Sequence, residues 1–323
     1  MEHRPGRAAG CGSRTAGQHR TAVGQFRRSD GTKDGHRHAH TPPQHLHDLD
    51  RAPGPGAASA GAHRGRRTRP AQRLGRGQRG GIASAGAGAI ATTSGGVSWS
   101  LGHGDGQRLG REEMAAAARR IVAAVELPVT VDAEGGYGPQ PADVAATVRL
   151  LVGAGAVGVN LEDSTAAGGP LFPVADQAAR LWAAREEAAE AGLPELVVNA
   201  RTDVFLFGIG EPGGRLDEVL ARAEAYARAG ADGLFVPGLL DLEALARLCA
   251  ASPLPVNAMA VAGGPGVAEL AAAGVRRISV GTGLAQLAYT AARRAAAELL
   301  GAGTLTELDG SLGFGELDGL YRR

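Results

Sequence analysis

Val129-Thr130-Val131-Asp132-Ala133-Glu134-Gly135-Gly136-Tyr137-Gly138 is a short apolar run that ends in two acids and a glycine-rich turn. An amphipathic stretch, Ala142–Val152, comes next, and a second apolar run, Val157–Leu161, then ends in Glu162-Asp163. The same alternation extends in both directions. Strand patterns read at Ala89–Thr93, Leu196–Ala200, Gly233–Val236, Val256–Met259 and Arg277–Val280. Helical patterns read at Glu112–Val125, Ala175–Ala191, Leu216–Arg228, Leu242–Ala251, Gly266–Ala272 and Ala285–Leu300. Repeated β–α units imply a parallel sheet, and near-continuous apolar strands imply burial on both faces. The expected fold is α/β, a (β/α)8 TIM barrel over residues 83–300, with a helical C-terminal extension over 301–323. Only seven strand patterns are legible. The eighth belongs just before Ala89, where nothing reads as a strand, so the barrel is expected to lack its first strand.

Net charge is +1 over 323 residues, and that average hides two unlike segments. Met1–Ile82 carries sixteen Lys and Arg against five Asp and Glu, whereas the remainder carries eighteen against twenty-eight. The first segment also holds eight of nine histidines and the one lysine, Lys33. It lacks apolar periodicity, so it is expected to be a disordered basic tail. Its charge would suit a nucleic-acid arm, but Phe26 is its lone aromatic and leaves little to stack on bases. Nucleic acid is therefore not the expected partner. With no lysine after Ile82, the barrel offers no amine for Schiff-base chemistry. Cys11 and Cys249 make neither a disulfide framework nor a zinc site. No run approaches the ~18 apolar residues of a membrane span, and no apolar leader follows Met1, so a soluble cytoplasmic protein is expected.

In a barrel the reactive groups come from the C-terminal ends of strands. Three successive strand patterns end in Asp132 and Glu134, in Glu162-Asp163, and in Arg201-Thr202-Asp203. On an extended strand end, residues i and i+2 point the same way, so Asp132 and Glu134 can both face the mouth, with Glu162 beside them. Bare carboxylates about 4 Å apart repel by roughly 4 kcal/mol at an effective dielectric of 20. A divalent cation removes that repulsion, and an all-oxygen set favours Mg²⁺, or Mn²⁺, over zinc. Arg201 can clamp a carboxylate through two N–H groups. Ser94-Gly95-Gly96 follows the first legible strand, and its backbone N–H groups and Ser94 hydroxyl can approach an anionic oxygen. Asp163 and Asp203 read as loop or supporting residues. Cys249, inside a helical pattern, reads as a buried structural thiol.

Thr93-Ser94-Gly95-Gly96, Val131–Gly138, Gly158–Asp163, Asn199–Asp203 and Ala223-Glu224-Ala225-Tyr226 through Gly230-Ala231-Asp232 together resemble the isocitrate lyase/phosphoenolpyruvate mutase superfamily in order and spacing. The likeness runs from about Ala87 to Leu300. It implies a phosphoenolpyruvate-type barrel whose Mg²⁺ is held, partly through waters, by Asp132, Glu134 and Glu162. It implies that Ser94, Gly95 and Gly96 bind a pyruvyl group, that Arg201 binds a substrate carboxylate, and that the metal stabilises an enolate. Asn257 is expected to contact substrate. The resemblance also implies a homotetramer that exchanges a C-terminal helix, a role open to Leu305–Tyr321.

Departures narrow the activity. Isocitrate and methylisocitrate lyases carry a Lys-Lys/Arg-Cys-Gly-His loop after the Glu-Asp pair, whereas this chain has Ser164-Thr165-Ala166-Ala167-Gly168-Gly169-Pro170-Leu171-Phe172-Pro173. Without that Cys and His, those two activities are not expected, and the missing Lys and Asn of the mutase loop argue against phosphonate synthesis. What remains is a carbon–carbon lyase acting on a small 2-oxo or 2-hydroxy dicarboxylate, oxaloacetate decarboxylase- or alkylmalate lyase-like, with loop 164–173 as a lid. The alternatives are a catalytically silent barrel and a phosphonomutase-like isomerase.

The superfamily's first strand typically reads Leu-Pro-Asn-Ala-Trp-Asp, which is absent here. Yet the codon classes of Arg69–Gly80, read one nucleotide on, permit Val-Leu-Pro-Asn-Ala-Trp-Asp-Val-Ala-Ser-Ala-Ala. Arg, Gly, Pro and Ala are also what GC-rich coding DNA yields out of frame. Met1 to about Ile82 is therefore expected to be translated out of frame, with frame regained near Ala83.

Overall fold

A computed structural model of the chain describes residues 71–73 and 85–321. Eight parallel strands lie in sequence order: β1 Ala71–Arg73, β2 Ile90–Thr92, β3 Val129–Asp132, β4 Gly158–Glu162, β5 Val197–Arg201, β6 Gly233–Phe235, β7 Val256–Met259 and β8 Arg277–Ser279. Neighbouring strands pair from β1 through β8, and β8 comes within 8 Å of β1 across the remaining gap. Strand order that never departs from sequence order, with a helical return between strands, is the winding of a (β/α)8 barrel. The α/β barrel expected from the alternation of patterns is what the chain forms, but the first strand, expected to be missing, is present as β1.

The returns are α1 Ser94–Ser100, α2 Arg111–Val122, α3 Pro141–Gly153, α4 Val174–Glu190, α5 Arg215–Arg228, α6 Leu242–Ala251, α7 Val267–Ala272 and α8 Gly283–Gly301, followed by α9 Phe314–Gly319. Most bounds fall within a few residues of the sequence patterns. Helix α1 was not expected, because Gly95 and Gly96 are poor helix formers and read as a turn. The C-terminal extension, expected to be helical, is helical in part. Past α8, Leu305–Tyr321 contains a single 3-10 turn, Thr306–Leu308, and the six-residue α9. Gly303 and Gly310 adopt left-handed φ angles of 71° and 75° that end regular helix.

Between sheet and helices lies one apolar layer. Val131, Val159, Leu161, Val198, Leu234 and Val236 meet Ile121, Val144, Leu151, Leu181, Val219 and Leu245, all buried. Complete burial of one such side chain stabilises by about 1.5–3 kcal/mol, so the outer face of the sheet fixes the ring. The inside of the barrel is different, because three strands repeat Val-Asn. Asn199 Nδ2 donates to Asn160 Oδ1 at 2.8 Å and to Asn257 Oδ1 at 3.1 Å. These three buried amides satisfy one another and put a polar floor under the mouth.

The position of β1 bears on the reading frame. It pairs Ala71 with Ile90, Gln72 with Ala91 and Arg73 with Thr92. Those three residues are the ones whose codons, one nucleotide on, permit Pro-Asn-Ala. The rest of the segment expected to be a disordered tail lies outside the described residues. The out-of-frame proposal predicts that the coding DNA, shifted by one nucleotide, reads AAC from Gln72 and TGG from Leu74. Any other codon at either place sinks it.

Candidate active site

Asp132 closes β3, and β2 with the start of α1 binds both ends of the residue. Its N–H donates to Thr92 Oγ1 at 2.9 Å, and its Oδ2 accepts the Ser94 N–H at 3.1 Å. The carboxylate is 6% exposed, and burial raises its pKa against the lowering effect of Arg201 and the Ser94 N–H. Ser94 opens α1 directly after β2. At Gly95 an added Cβ would lie 2.9 Å from Thr282 Cγ2 and 3.0 Å from Asp105 Oδ2, so only glycine lets this turn sit so deep. The Ser94 N–H, expected to face a substrate oxygen, is thus already engaged by Asp132.

Glu134 sits where the turn after β3 is most strained. Three non-glycine residues among those described have left-handed φ: Gln107 at 55°, Glu134 at 49° and Tyr137 at 61°. They form one hydrogen-bonded cluster. The Gln107 N–H donates to Glu134 Oε2, the Tyr137 N–H to Gln107 Oε1 at 2.9 Å, and the Tyr137 hydroxyl to Glu134 Oε1 at 3.0 Å. Such conformations cost about 1–3 kcal/mol each and persist only where surrounding contacts over-determine them. Arg180 of α4 provides part of that support. Its Nη1 donates to Gly138 O at 2.8 Å, its Nη2 to Gly135 O, and its guanidinium stacks 4.1 Å over the Phe172 ring.

Glu162 and Arg201 end neighbouring strands in direct register. Arg201 Nη1 lies 2.9 Å from Glu162 Oε2, while its Nε and Nη2 donate to the two oxygens of Asp203 at 2.6 and 3.2 Å. Burial works against the guanidinium charge, but Glu162, Asp203 and Asp132 outweigh it and hold the Arg201 pKa above its usual value. The acids are less compensated. Burial, aided by the Asp132 charge, pushes Glu134 up to about 7. Burial also pushes Glu162 up to about 8, with Arg201 opposing and Asp132 and Asp203 adding to the rise.

Asp132, Glu134, Glu162, Arg201 and Ser94 therefore share one rim. Among the described residues, however, no three acidic, His or Cys side chains stand close enough together to ligate one ion directly. The set fits a Mg²⁺ in its charge and all-oxygen chemistry, with waters between the ion and most of the carboxylates. Asn257 does not join this group. It lies in the polar floor, where Oδ1 accepts from Asn199 and Nδ2 donates to Ala258 O at 2.9 Å and Arg277 O at 3.2 Å, so its N–H groups are already engaged. Loop 164–173 is a closed hairpin. Ser164 bridges Leu171, and the Thr165 N–H donates to Pro170 O at 2.9 Å. A Cβ added at Gly106 would fall 3.6 Å from Ala167 Cβ, so the hairpin tip lies beside the loop after α1.

Asp105 was missed in the sequence, where it stands between two glycines and ends no strand pattern. Its charge acts on both Asp132 and Glu134. Gln107 and Arg180 were missed because only tertiary contact brings them to the rim.

The sequence pattern of the family described as phosphoenolpyruvate phosphomutase matches residues 80–300. The chain belongs to this family. It is 45% identical to a solved Burkholderia cenocepacia J2315 protein assigned as a phosphonomutase, with a TM-score of 0.66 over 73% of this chain and 93% of that one. It is 39% identical over 194 residues to the uncharacterised Mycobacterium tuberculosis H37Rv protein Rv1998c, covering 60% of this chain and 69% of that protein. To an oxaloacetate decarboxylase of Bradyrhizobium sp. BTAi1 it is 37% identical over 150 residues, 45% of this chain and about half the relative, 49%. Other similar proteins include a 2,3-dimethylmalate lyase of the phosphoenolpyruvate mutase/isocitrate lyase superfamily and a phosphoenolpyruvate phosphomutase.

A carboxyl whose pKa is higher in the folded than in the unfolded chain binds more protons when folded, so stability falls as pH rises through that interval. For Glu134 and Glu162 the interval runs from the ordinary 4.5 to about 7 and about 8. Metal-free protein is expected to melt at a lower temperature at pH 8.5 than at pH 5.5, and millimolar Mg²⁺ to restore most of the loss at pH 8.5. Calorimetry in EDTA and in Mg²⁺ reads both. Equal melting temperatures at the two pH values would contradict the buried-carboxylate reading.

Proposed function

We propose that this barrel is a Mg²⁺-dependent lyase that breaks a carbon–carbon bond of a small 2-oxo or 2-hydroxy dicarboxylate. The observation that carries the reading is a single guanidinium, Arg201, fixed on a rim of buried carboxylates that it does not neutralise. A cation bound through Asp132, with Glu134 and Glu162 holding its waters, would polarise the 2-oxo group and take up charge as an enolate forms. Arg201 clamps the remote carboxylate of the substrate. The Ser94 hydroxyl and the first-turn N–H groups of Gly95 and Gly96, which have no partner within the helix, orient the pyruvyl oxygens. In a decarboxylation the electron pair of the breaking bond enters the enolate, carbon dioxide departs, and the enolate carbon takes a proton. The closed hairpin 164–173 keeps bulk water off this face. It has no Cys or His, which supports a leaving group that needs no thiol acid, such as carbon dioxide.

A phosphonomutase is the second reading, favoured by the Burkholderia relative. The two separate by product: pyruvate released from oxaloacetate or alkylmalates above an enzyme-free Mg²⁺ blank, against a carbon–phosphorus resonance formed from phosphoenolpyruvate in ³¹P NMR. Pyruvate release is the expected result. Asp132→Asn and Glu162→Gln should each lower it by about a hundredfold or more with unchanged circular dichroism. Full activity in either variant removes the metal-site assignment, and no product from any of these substrates leaves the silent barrel.

A homotetramer is proposed as well. Leu300 and Phe314, in α8 and α9, are 86% and 85% exposed, and Leu287 is 65% exposed. Apolar surface of this extent suits burial against further copies of the chain. Light scattering is expected to give four subunits, and removal of residues 305–323 to lower that number. A monomer at micromolar concentration would refute it.

A further inference from the structure

Tyr226 and Arg222 lie on α5, outside the rim, and the chemistry above gives them no task. Both are buried, and both reach the same atom. The Tyr226 hydroxyl donates to Asp163 Oδ2 at 2.8 Å, and Arg222 Nη1 donates to it at 3.1 Å. Asp163 is wholly buried, and burial raises its pKa against these donors and the Asp203 N–H. Its other oxygen, Oδ1, accepts that Asp203 N–H at 3.0 Å. Asp203 in turn holds Arg201 through both carboxylate oxygens and accepts the Ser164 hydroxyl at 2.6 Å. The backbone follows the same route, with the Asp163 N–H donating to Arg201 O at 3.1 Å and the Phe172 N–H to Asp163 O at 2.8 Å. Arg222 Nη1 also donates to Phe172 O at 3.1 Å, which ties the far end of the hairpin to the same helix.

A guanidinium that must meet a carboxylate through two N–H groups tolerates little rotation, and Arg201 owes its orientation to Asp203 and Glu162. Asp203 is fixed from behind by Asp163, which α5 reaches with a guanidinium and a phenol hydroxyl. We infer that Tyr226 and Arg222 are positioning residues that set the Arg201 guanidinium through Asp163 and Asp203, and so determine affinity for the substrate carboxylate. The inference rests on Arg201 being the carboxylate clamp, but its geometry can be read without turnover.

The test is the Arg201 Nε–H resonance of ¹⁵N-labelled full-length protein, assigned by its loss in Arg201→Lys. Tyr226→Phe and Arg222→Lys are each expected to shift this resonance and to speed its solvent exchange by about tenfold. The KM for a 2-oxo dicarboxylate should then rise about tenfold while kcat stays within about threefold, as when binding common to ground and transition states is lost. A merely structural role would lower the melting temperature and leave the resonance and KM of the folded protein unchanged. Should Tyr226→Phe fail to fold, Arg222→Lys decides alone. A resonance with wild-type position and exchange overturns the inference. Wild-type protein that turns over no 2-oxo dicarboxylate overturns the lyase reading instead, and the resonance still answers for Tyr226 and Arg222.

Discussion

Everything at the mouth of this barrel follows from an imbalance of buried charge. Strands β3, β4 and β5 each end in a group that would rather be solvated. Arg201 is the cation in direct contact with the rim, and Asp203 and Glu162 already share its N–H groups. A buried ion pair roughly repays its own desolvation, whereas a buried carboxylate without a partner does not. The raised pKa values of Asp132, Glu134 and Glu162 express that deficit. Such an arrangement is costly for stability, and shifted carboxyl groups gathered in this way are typical of functional sites.

The surroundings of the rim hold that deficit in place. Backbone donors bind Asp132 and Glu134, Arg180 gathers the carbonyls of the turn after β3, and three left-handed residues lock one another. Below them the asparagine floor replaces the apolar filling usual in such barrels. It provides a rigid polar base, so the acids above cannot relax by sinking into the interior.

Much of this could be read from the chain alone, for a definite reason. Strand ends are local, so Asp132, Glu134, Glu162 and Arg201 announce themselves by where an apolar run stops. Asp105, Gln107 and Arg180 reach the rim from loops and helix faces, and their roles exist only through contacts tens of residues away. Asn257 illustrates the opposite error. It follows the same apolar-run logic, but it lies at the second position of its strand and so points into the floor. Helix α1 was hidden by its own glycines, whose low propensity is overridden because Gly95 must pack against Thr282 and Asp105.

The first strand is where local reading and tertiary demand diverge most. Parallel strands β2 and β8 leave unpaired backbone groups between them, and a barrel that failed to cover those groups would expose an aggregation-prone edge. Backbone pairing is indifferent to side chains, so Ala71–Arg73 can occupy the place without resembling a barrel strand. Side chains are another matter, because a strand in that place has to present apolar and polar groups to the correct faces. A barrel can therefore close in outline on a segment whose sequence carries no strand pattern. Asp132, Glu162 and Arg201 end β3, β4 and β5, and Glu134 lies in the turn after β3, so the acids and the arginine all come from other parts of the barrel.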